Sequence, residues 1–183
     1  MNIFYLDNDP QQCAEWMVDS HVVKMILETA QLLSTAHRIL DGEQMIVELR
    51  HRQTGKVKKK NVWVLPDDRN DVLYACTHRN HPSAIWVRES VENYNWLVDH
   101  LYALGREYTY RYGKKHATIE KCFYPLQSPP HGLRDWDWST PPSAMAKEFI
   151  ISDDPIVNYR NYYKYGKASL HKWKNRPAPD WIL

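Results

Sequence analysis

A narrow polar stripe crosses an otherwise apolar helix near the start of the chain. His21, Lys24, Glu28 and Gln31 follow one another at spacings of three and four residues, which places them on one face of an α-helix. The positions around them, over residues 22–33, are mostly apolar. A helix with so little polar surface is expected to be buried nearly all round. Because a buried charge is costly unless it is paired or used, this stripe is the strongest candidate for a functional site.

Cap and turn signals predict a mainly α-helical fold with one small β-hairpin. Residues 1–183 read as a single compact domain, because no linker, repeat or low-complexity tract divides them. The predicted elements are a strand over residues 1–6, a helix from Pro10 that breaks at Asp19–Ser20, a helix through the stripe to Asp41–Gly42, hairpin strands over 45–52 and 56–65 around Thr54–Gly55, a short helix over 71–77, a long helix from Pro82 to Gly113, a short helix over 115–124 and a last helix of about fifteen residues from Pro155.

The composition is typical of a globular protein of the cytoplasm. The chain is 43% hydrophobic and 25% charged, and its net charge of +2 is too small by itself to indicate a nucleic-acid binder. The first ten residues do not resemble a signal peptide, and no apolar run reaches the roughly 18 residues that span a membrane. Cys13, Cys76 and Cys122 are far apart, which favours reduced thiols. We therefore expect a cytoplasmic protein without membrane association.

Glu28 is the predicted catalytic residue of the stripe. A carboxylate among apolar neighbours can have a raised pKa and act as a general acid or base near neutral pH. Lys24, one turn earlier, can pair with it, hold a phosphate or act as a nucleophile, and His21 lies two turns earlier. The alternative is an internal Lys24–Glu28 ion pair that only stabilises the fold.

A second set of polar residues flanks Pro82. Ser90 and Asn93 share a helix side with Trp86 and with apolar positions, so we expect buried groups that need hydrogen-bond partners. The turn before Pro82 presents free amides, which suit an anion such as phosphate. The alternative is a capped helix with a buried hydrogen-bond network. The predicted substrate-binding residues are Gln31, Asn80, His81, Trp86, Arg88, Ser90 and Asn93.

No metal or cofactor is predicted. Cys76, His78 and His81 could meet in space, but their spacing matches no established zinc motif, and no second Cys/His pair lies close in the sequence. A histidine in a polar turn is more often solvated or hydrogen-bonded than bound to a metal.

Three stretches concentrate positive charge. The hairpin carries seven Arg, His and Lys residues between Arg50 and Lys60, a pattern that by itself indicates a solvated face. Residues 111–116 and 159–176 interleave charge with aromatic rings, which fits phosphate contacts beside stacked bases. The predicted nucleic-acid-binding residues are Lys114, Lys115, His116, Arg160, Tyr163, Lys164, Lys167, Trp173 and Arg176.

Two resemblances to known families add to this interpretation. The phrases LDNDP, HVVKMILETAQLLSTAHR, NHPSAIWVRES and RYGKKH resemble a family of small phage and bacterial proteins, which brings no activity with it. The N-terminal helix with its Glu, the phrase GKKHAT and the Tyr-rich end with YKYGKA resemble the pyrimidine-dimer DNA glycosylases. Those enzymes use an N-terminal amine that removal of the initiator Met exposes, and Asn2 fits such removal poorly. The resemblance therefore implies Glu28 as the catalytic carboxylate, with Lys24 or water as the nucleophile.

The leading hypothesis is an enzyme that processes DNA bases, specifically an N-glycosylase that excises a damaged or modified base flipped out of duplex DNA. The stripe residues His21, Lys24 and Glu28 would carry the chemistry. One alternative is an enzyme that acts on free nucleotides or other phosphorylated small molecules through the same stripe. The other is a non-catalytic DNA-binding or inhibitory protein of phage or host-defence origin.

Overall fold

The computed structural model describes residues 1–183 and confirms a mainly α-helical fold with one two-stranded antiparallel hairpin. None of its helices is both long enough and apolar enough to cross a membrane. In chain order the elements are α1 (Pro10–Trp16), α2 (Asp19–Asp41), β1 (Glu43–Arg50), β2 (Val57–Val64), α3 (Arg69–Val72), α4 (Pro82–Trp86), α5 (Val91–Tyr112), α6 (Ala117–Leu126) and α7 (Pro155–Asn161). Short 3₁₀ turns lie at Lys147–Phe149, Ala168–Leu170 and Asp180–Ile182, and a π turn lies at Tyr162–Gly166.

The first two helices begin and end close to the predicted positions. Asp9 accepts a hydrogen bond from the amide of Gln11, and Pro10 occupies the first turn of α1. The chain breaks before Asp19, which is the first residue of α2 and not its cap. Gly42 follows the last residue of α2, as the sequence predicts.

The predicted long helix from Pro82 is wrong, because two helices, α4 and α5, replace it. The hydroxyl of Ser90 accepts a hydrogen bond of 3.1 Å from the amide of Asn93 and so caps a new helix. Gly113 ends α5 as predicted, with a φ of 69° that glycine adopts without strain.

Three other predicted elements differ. The short helix predicted over residues 71–77 forms at Arg69–Val72 instead, because the backbone of Leu73 is extended and ends it. Residues 1–6 form no strand, because the amides of Ile3 and Phe4 bond the side chain of Asn2 and no second strand lies beside them. The last helix has α geometry only as far as Asn161 and then widens into the π turn. At Gly166 an added Cβ would lie 2.5 Å from the ring of Tyr162, so the turn needs glycine there.

The core is one cluster of 33 buried hydrophobic residues in which α2 and α5 pack against each other. Helix α1 packs on α5, and α6 contacts both α2 and α5. Residues 3–6 run through this core and are all buried. The N-terminal segment is therefore held firmly against the middle of the fold.

The hairpin extends away from the core. Its register is continuous, from Glu43 opposite Val64 to Arg50 opposite Val57. In β1 only Val47 is partly covered, and in β2 only the three residues at the base, 62–64, are.

Candidate active site around Glu28

The carboxylate of Glu28 lies in the middle of α2, where the N-terminal segment meets the helix. Its Oε2 is 3.6 Å from the amino group of Met1 and accepts a hydrogen bond of 3.2 Å from the amide of Asn2. Its Oε1 is 3.2 Å from Nζ of Lys24. The side chain is only 14% exposed, so the carboxylate is shielded yet still open to solvent. Two primary amines and one carboxylate therefore meet at one place on α2.

The expectation that α2 is buried all round is wrong on the side that carries Lys24. Lys24 is 67% exposed, and its neighbours Val23 and Leu27 are exposed as well. An ion pair with one partner in open solvent contributes at most about 1 kcal/mol. The interpretation of Lys24 and Glu28 as a buried stabilising pair therefore loses its basis, while Glu28 itself remains shielded.

Asn2 holds the N-terminal segment in place beside Glu28. Its Nδ2 donates to the carbonyl oxygen of Ala144 at 2.8 Å, and its Oδ1 accepts from the hydroxyl of Tyr159 at 2.7 Å. The same Oδ1 accepts from the amide of Ile3 at 2.8 Å. These contacts fix the backbone of residues 1 and 2, and with it the position of the Met1 amino group. Sequence reasoning named neither residue as part of the site, although the glycosylase resemblance pointed to an N-terminal amine.

His81 is the cap residue at the start of α4. Its Nδ1 accepts a hydrogen bond of 3.2 Å from the amide of Ser83, so the proton of the neutral ring is on Nε2. Burial lowers the pKa of His81, the positive amino group of Met1 lowers it further, and Glu28 acts in the opposite direction. The predicted residue His81 thus lies within range of the charge of Glu28, as a neutral imidazole whose Nε2 proton can be donated.

His21 lies two helical turns before Glu28, in an aromatic environment. Its ring stacks on Phe4 with 4.2 Å between the centroids, and its Nδ1 is 2.6 Å from the hydroxyl of Tyr163. Burial lowers the pKa of His21 to about 4, and the charges of Lys167 and Lys24 act in the same direction. His21 is therefore neutral at pH 7 and is engaged with the core, which suits a positioning role better than proton transfer.

An open cavity of about 440 Å³ lies along α4, between that helix and the loop at residues 139–142. Trp86 is buried in its wall and donates from Nε1 to the carbonyl oxygen of Ser139 at 2.8 Å. The loop is tied to the N-terminal segment, because the hydroxyl of Tyr159 contacts both Pro142 and Asn2. The lining residues are Pro82, Ile85, Trp86, Glu89, Ser139, Thr140 and Pro142. Flat apolar walls with a few polar groups are the features that hold a planar ring.

The other predicted substrate-binding residues are not all part of this group. Asn93 is buried, and its amide group bonds Ser139 and the backbone of Trp86, while Ser90 caps α5, so the hydrogen-bond network is the better interpretation of both. Arg88 donates to the carbonyl oxygen of Ala84 at 2.6 Å. Gln31 is half-buried one turn after Glu28, and Asn80 is exposed one residue before His81.

Four of the predicted nucleic-acid-binding side chains hold the C-terminal segment to the rest of the fold. The prediction that Tyr163 contacts nucleic acid is wrong, because its side chain is fully buried and lies against His21. Arg160 pairs with Asp7 and lies over the ring of Trp16, whose backbone also accepts from Trp173. Arg176 pairs with the buried carboxylate of Glu107 at 2.8 Å. These side chains therefore have structural partners within the fold.

The remaining basic candidates lie in three different places. Lys114 and Lys115 are exposed after α5, and His116 caps α6 by accepting from the amide of Thr118 at 3.2 Å. Lys164 donates to the last backbone carbonyl at 2.9 Å. Lys167 lies over the ring of Tyr162, 4.8 Å from its centroid, on the side of α2 that carries His21. Of these, Lys167 is the one whose charge acts on the polar stripe.

No group of three or more His, Cys, Asp or Glu side chains is arranged to hold a metal ion. Among known protein families, curated proteins and solved structures, none matches this chain significantly.

Proposed function

We propose that this protein is a DNA N-glycosylase that excises a damaged or modified base, with Glu28 as its catalytic carboxylate. The observation that carries the proposal is the contact of Glu28 with the amino group of Met1 and with Nζ of Lys24. Base excision needs a carboxylate that activates a nucleophile and stabilises the positive charge that develops at C1′ of the sugar. The resemblance to the pyrimidine-dimer DNA glycosylases supports the same choice of residue.

In the hydrolytic route, water is the nucleophile. Glu28 takes a proton from the water, whose oxygen bonds to C1′ while the bond between C1′ and the base nitrogen breaks. The electron pair of that bond leaves with the base, which is then protonated. The Glu28 carboxyl group returns the proton it took from the water, directly or through solvent, to the departing base. His81 donates a hydrogen bond from Nε2 to the base as it leaves, because its Nδ1 is occupied by the amide of Ser83.

The amines beside Glu28 offer a second route. An unprotonated amine bonds to C1′, the base leaves with its electron pair, and Glu28 takes a proton from the amine nitrogen. Opening of the bond between C1′ and the ring oxygen, with protonation of that oxygen, leaves an imine between protein and sugar. The candidate nitrogens are those of Met1 and Lys24, at 3.6 and 3.2 Å from the carboxylate. Borohydride reduces an imine to a stable amine and so distinguishes this route from hydrolysis.

The cavity along α4 supports a flipped base as the substrate. Trp86, Pro82 and Pro142 offer apolar surfaces for a ring, and Ser139 and Thr140 offer polar atoms for its edge. Pro82, which lines this cavity, directly follows His81 in the chain.

The test is base excision from duplex oligonucleotides that each carry one modified base or one pyrimidine dimer, followed by detection of abasic sites and released bases. Glu28→Gln keeps the size of the side chain but removes the proton acceptor, so the excision rate is expected to fall by about 10²–10⁴ while duplex affinity is retained. Glu120→Gln, an exposed change of the same kind on α6, is the matched control and retains full activity.

Borohydride trapping with mass mapping of the modified peptide then assigns the nucleophile. A trapped complex at Met1 or Lys24 establishes the amine route, and excision without trapping establishes the hydrolytic route. Excision by Glu28→Gln at the rate of the unmodified protein contradicts the proposal, as does turnover of free nucleotides with no excision from any duplex.

A further inference from the structure

The hairpin carries far more positive charge than its share of the chain. Residues 43–64 contain six Lys and Arg and two Glu, a net charge of +4, whereas the whole chain carries +2. Only Lys59 has an ion-pair partner, Glu48 at 3.8 Å. The other five cations, Arg50, Arg52, Lys56, Lys58 and Lys60, form no ion pair in the structure. A surface of this kind attracts a polyanion.

The hairpin also exposes apolar side chains that a solvated ribbon does not need. The register places Met45 opposite Val62, Val47 opposite Lys60 and Leu49 opposite Lys58, all on one face. Ile46 on the other face is 68% exposed. A two-stranded ribbon alone is at best marginally stable in water, and exposed apolar residues are better explained by contact with another molecule.

The base of the hairpin is fixed to the part of the fold that contains Glu28. Arg38 of α2 donates to the backbone carbonyl of Trp63 at 2.8 Å, and Arg79 lies over the Trp63 ring at 5.1 Å. Arg79 is two residues before His81. From Glu28 to the end of α2 the helix rises about 20 Å, and the strands extend about 25 Å further. The ribbon is thus a rigidly based arm within reach of a duplex that occupies the candidate site.

We infer that this hairpin is a DNA-binding ribbon that contacts the duplex beside the flipped base. The inference rests on the proposed function, because that function supplies the duplex. Lys58, Lys60 and the cations at the tip of the hairpin contact phosphates. The apolar residues of β1 face sugars and base edges in the major groove, which is wide enough to admit a two-stranded ribbon. This inference assigns a role to the solvated face that the sequence predicts for the hairpin.

The test compares two variants of the full chain that carry substitutions at the same two positions and differ in charge. Lys58→Gln with Lys60→Gln removes two cations from one face, and Lys58→Arg with Lys60→Arg keeps them. We expect the Gln variant to bind a fluorescent 24-base-pair duplex at least tenfold more weakly at 0.1 M salt. The slope of log Kd against log salt concentration should fall by about 2, because each phosphate contact contributes about 0.9. The Arg variant should match the unmodified protein in both.

The outcomes separate this inference from the proposed function. If the Gln variant keeps its affinity and salt slope while Glu28-dependent excision is intact, the DNA-binding role of the hairpin is contradicted and the proposed function is not. If no base is excised from any duplex but only the Gln variant loses affinity, the glycosylase function is contradicted and the DNA-binding role of the hairpin is supported. Tighter binding to duplex RNA than to duplex DNA overturns the choice of DNA. Circular dichroism spectra and melting temperatures equal to those of the unmodified protein exclude misfolding of the variants.

Discussion

His81 and His116 occupy equivalent positions at the starts of two helices. In each, Nδ1 accepts a hydrogen bond of 3.2 Å from the amide two residues later, and burial lowers the pKa of the ring. Only His81 lies close enough to Met1 and Glu28 for their charges to act on its pKa. The two histidines therefore allow a capping role to be separated from a chemical one.

Replacing His81 with Asn tests the chemical role. Asn is a good helix cap, so the free energy of unfolding should stay within about 0.5 kcal/mol of the unmodified protein. Loss of the hydrogen bond that Nε2 donates to the departing base should lower the single-turnover excision rate by about 10²–10³. His116→Asn should change neither quantity. Urea unfolding and excision, measured on the same preparations, check this, and equal excision by both variants would remove His81 from the chemistry.

The residues of the site differ in how readily the sequence predicts them. Glu28 and His21 could be predicted because helical periodicity is a local pattern that survives in α2. Asn2 could not, since its defining partners, Ala144 and Tyr159, lie 142 and 157 residues away. The exposure of Lys24 was missed for the same reason: which side of an apolar helix stays uncovered depends on packing that the helix itself does not encode.

At the scale of elements, predictable boundaries are those set by residues with local backbone effects. Asp9 with Pro10, Gly42 and Gly113 were all identified from the sequence. The break before α5 was missed although Ser90 is a good cap, because the apolar period continues across it. The strand expected at residues 1–6 needed a partner strand, which the fold does not provide.

Gly113 gives a direct test of one such boundary. Its φ of 69° is left-handed, and an added Cβ would meet no atom within 4 Å, so any cost of substitution comes from the backbone alone. Gly113→Ala should lower the free energy of unfolding by about 1–2 kcal/mol, and Gly113→Asn by less, because Asn tolerates this conformation. Urea unfolding of the two variants side by side measures the difference. Equal stability of the Ala variant and the unmodified protein would show that the α5 terminus relaxes without strain.

Across the whole molecule, three histidines are held neutral inside the fold. Burial lowers the pKa values of His21, His37 and His100 to about 4. His37 is held between the hydroxyl of Tyr94 and the guanidinium of Arg69, each at 2.8 Å, an arrangement that fits the neutral ring. Because these rings are buried, the stability of the whole fold depends on pH.

The sign of this dependence follows from proton binding. In the unfolded chain a histidine has a pKa of about 6.5, so between pH 6.5 and 4 the unfolded state binds more protons than the folded state. The part of the free energy of unfolding that depends on these three neutral rings is fully present above pH 6.5 and is lost as the pH falls toward 4. Each can lower the free energy of unfolding by up to about 1.4 kcal/mol per pH unit in that window. The pKa of Asp41, which pairs with Arg69, is lowered, so the stability that this ion pair contributes is lost only at pH values below this window.

Urea unfolding at pH 7.5, 6.5, 5.5 and 4.5 should therefore show a plateau at the two higher values and a progressive fall at the two lower ones. His37→Gln removes one titrating ring, so its stability, although lower at pH 7.5, should fall less steeply with acid than that of the unmodified protein. His51→Gln, a change at an exposed histidine of the hairpin turn that is far from the three buried rings, should leave the slope unaltered. A free energy of unfolding that stays constant from pH 6.5 to 4.5 would mean that the buried histidines become protonated without unfolding the protein, through local opening that lets water reach the rings.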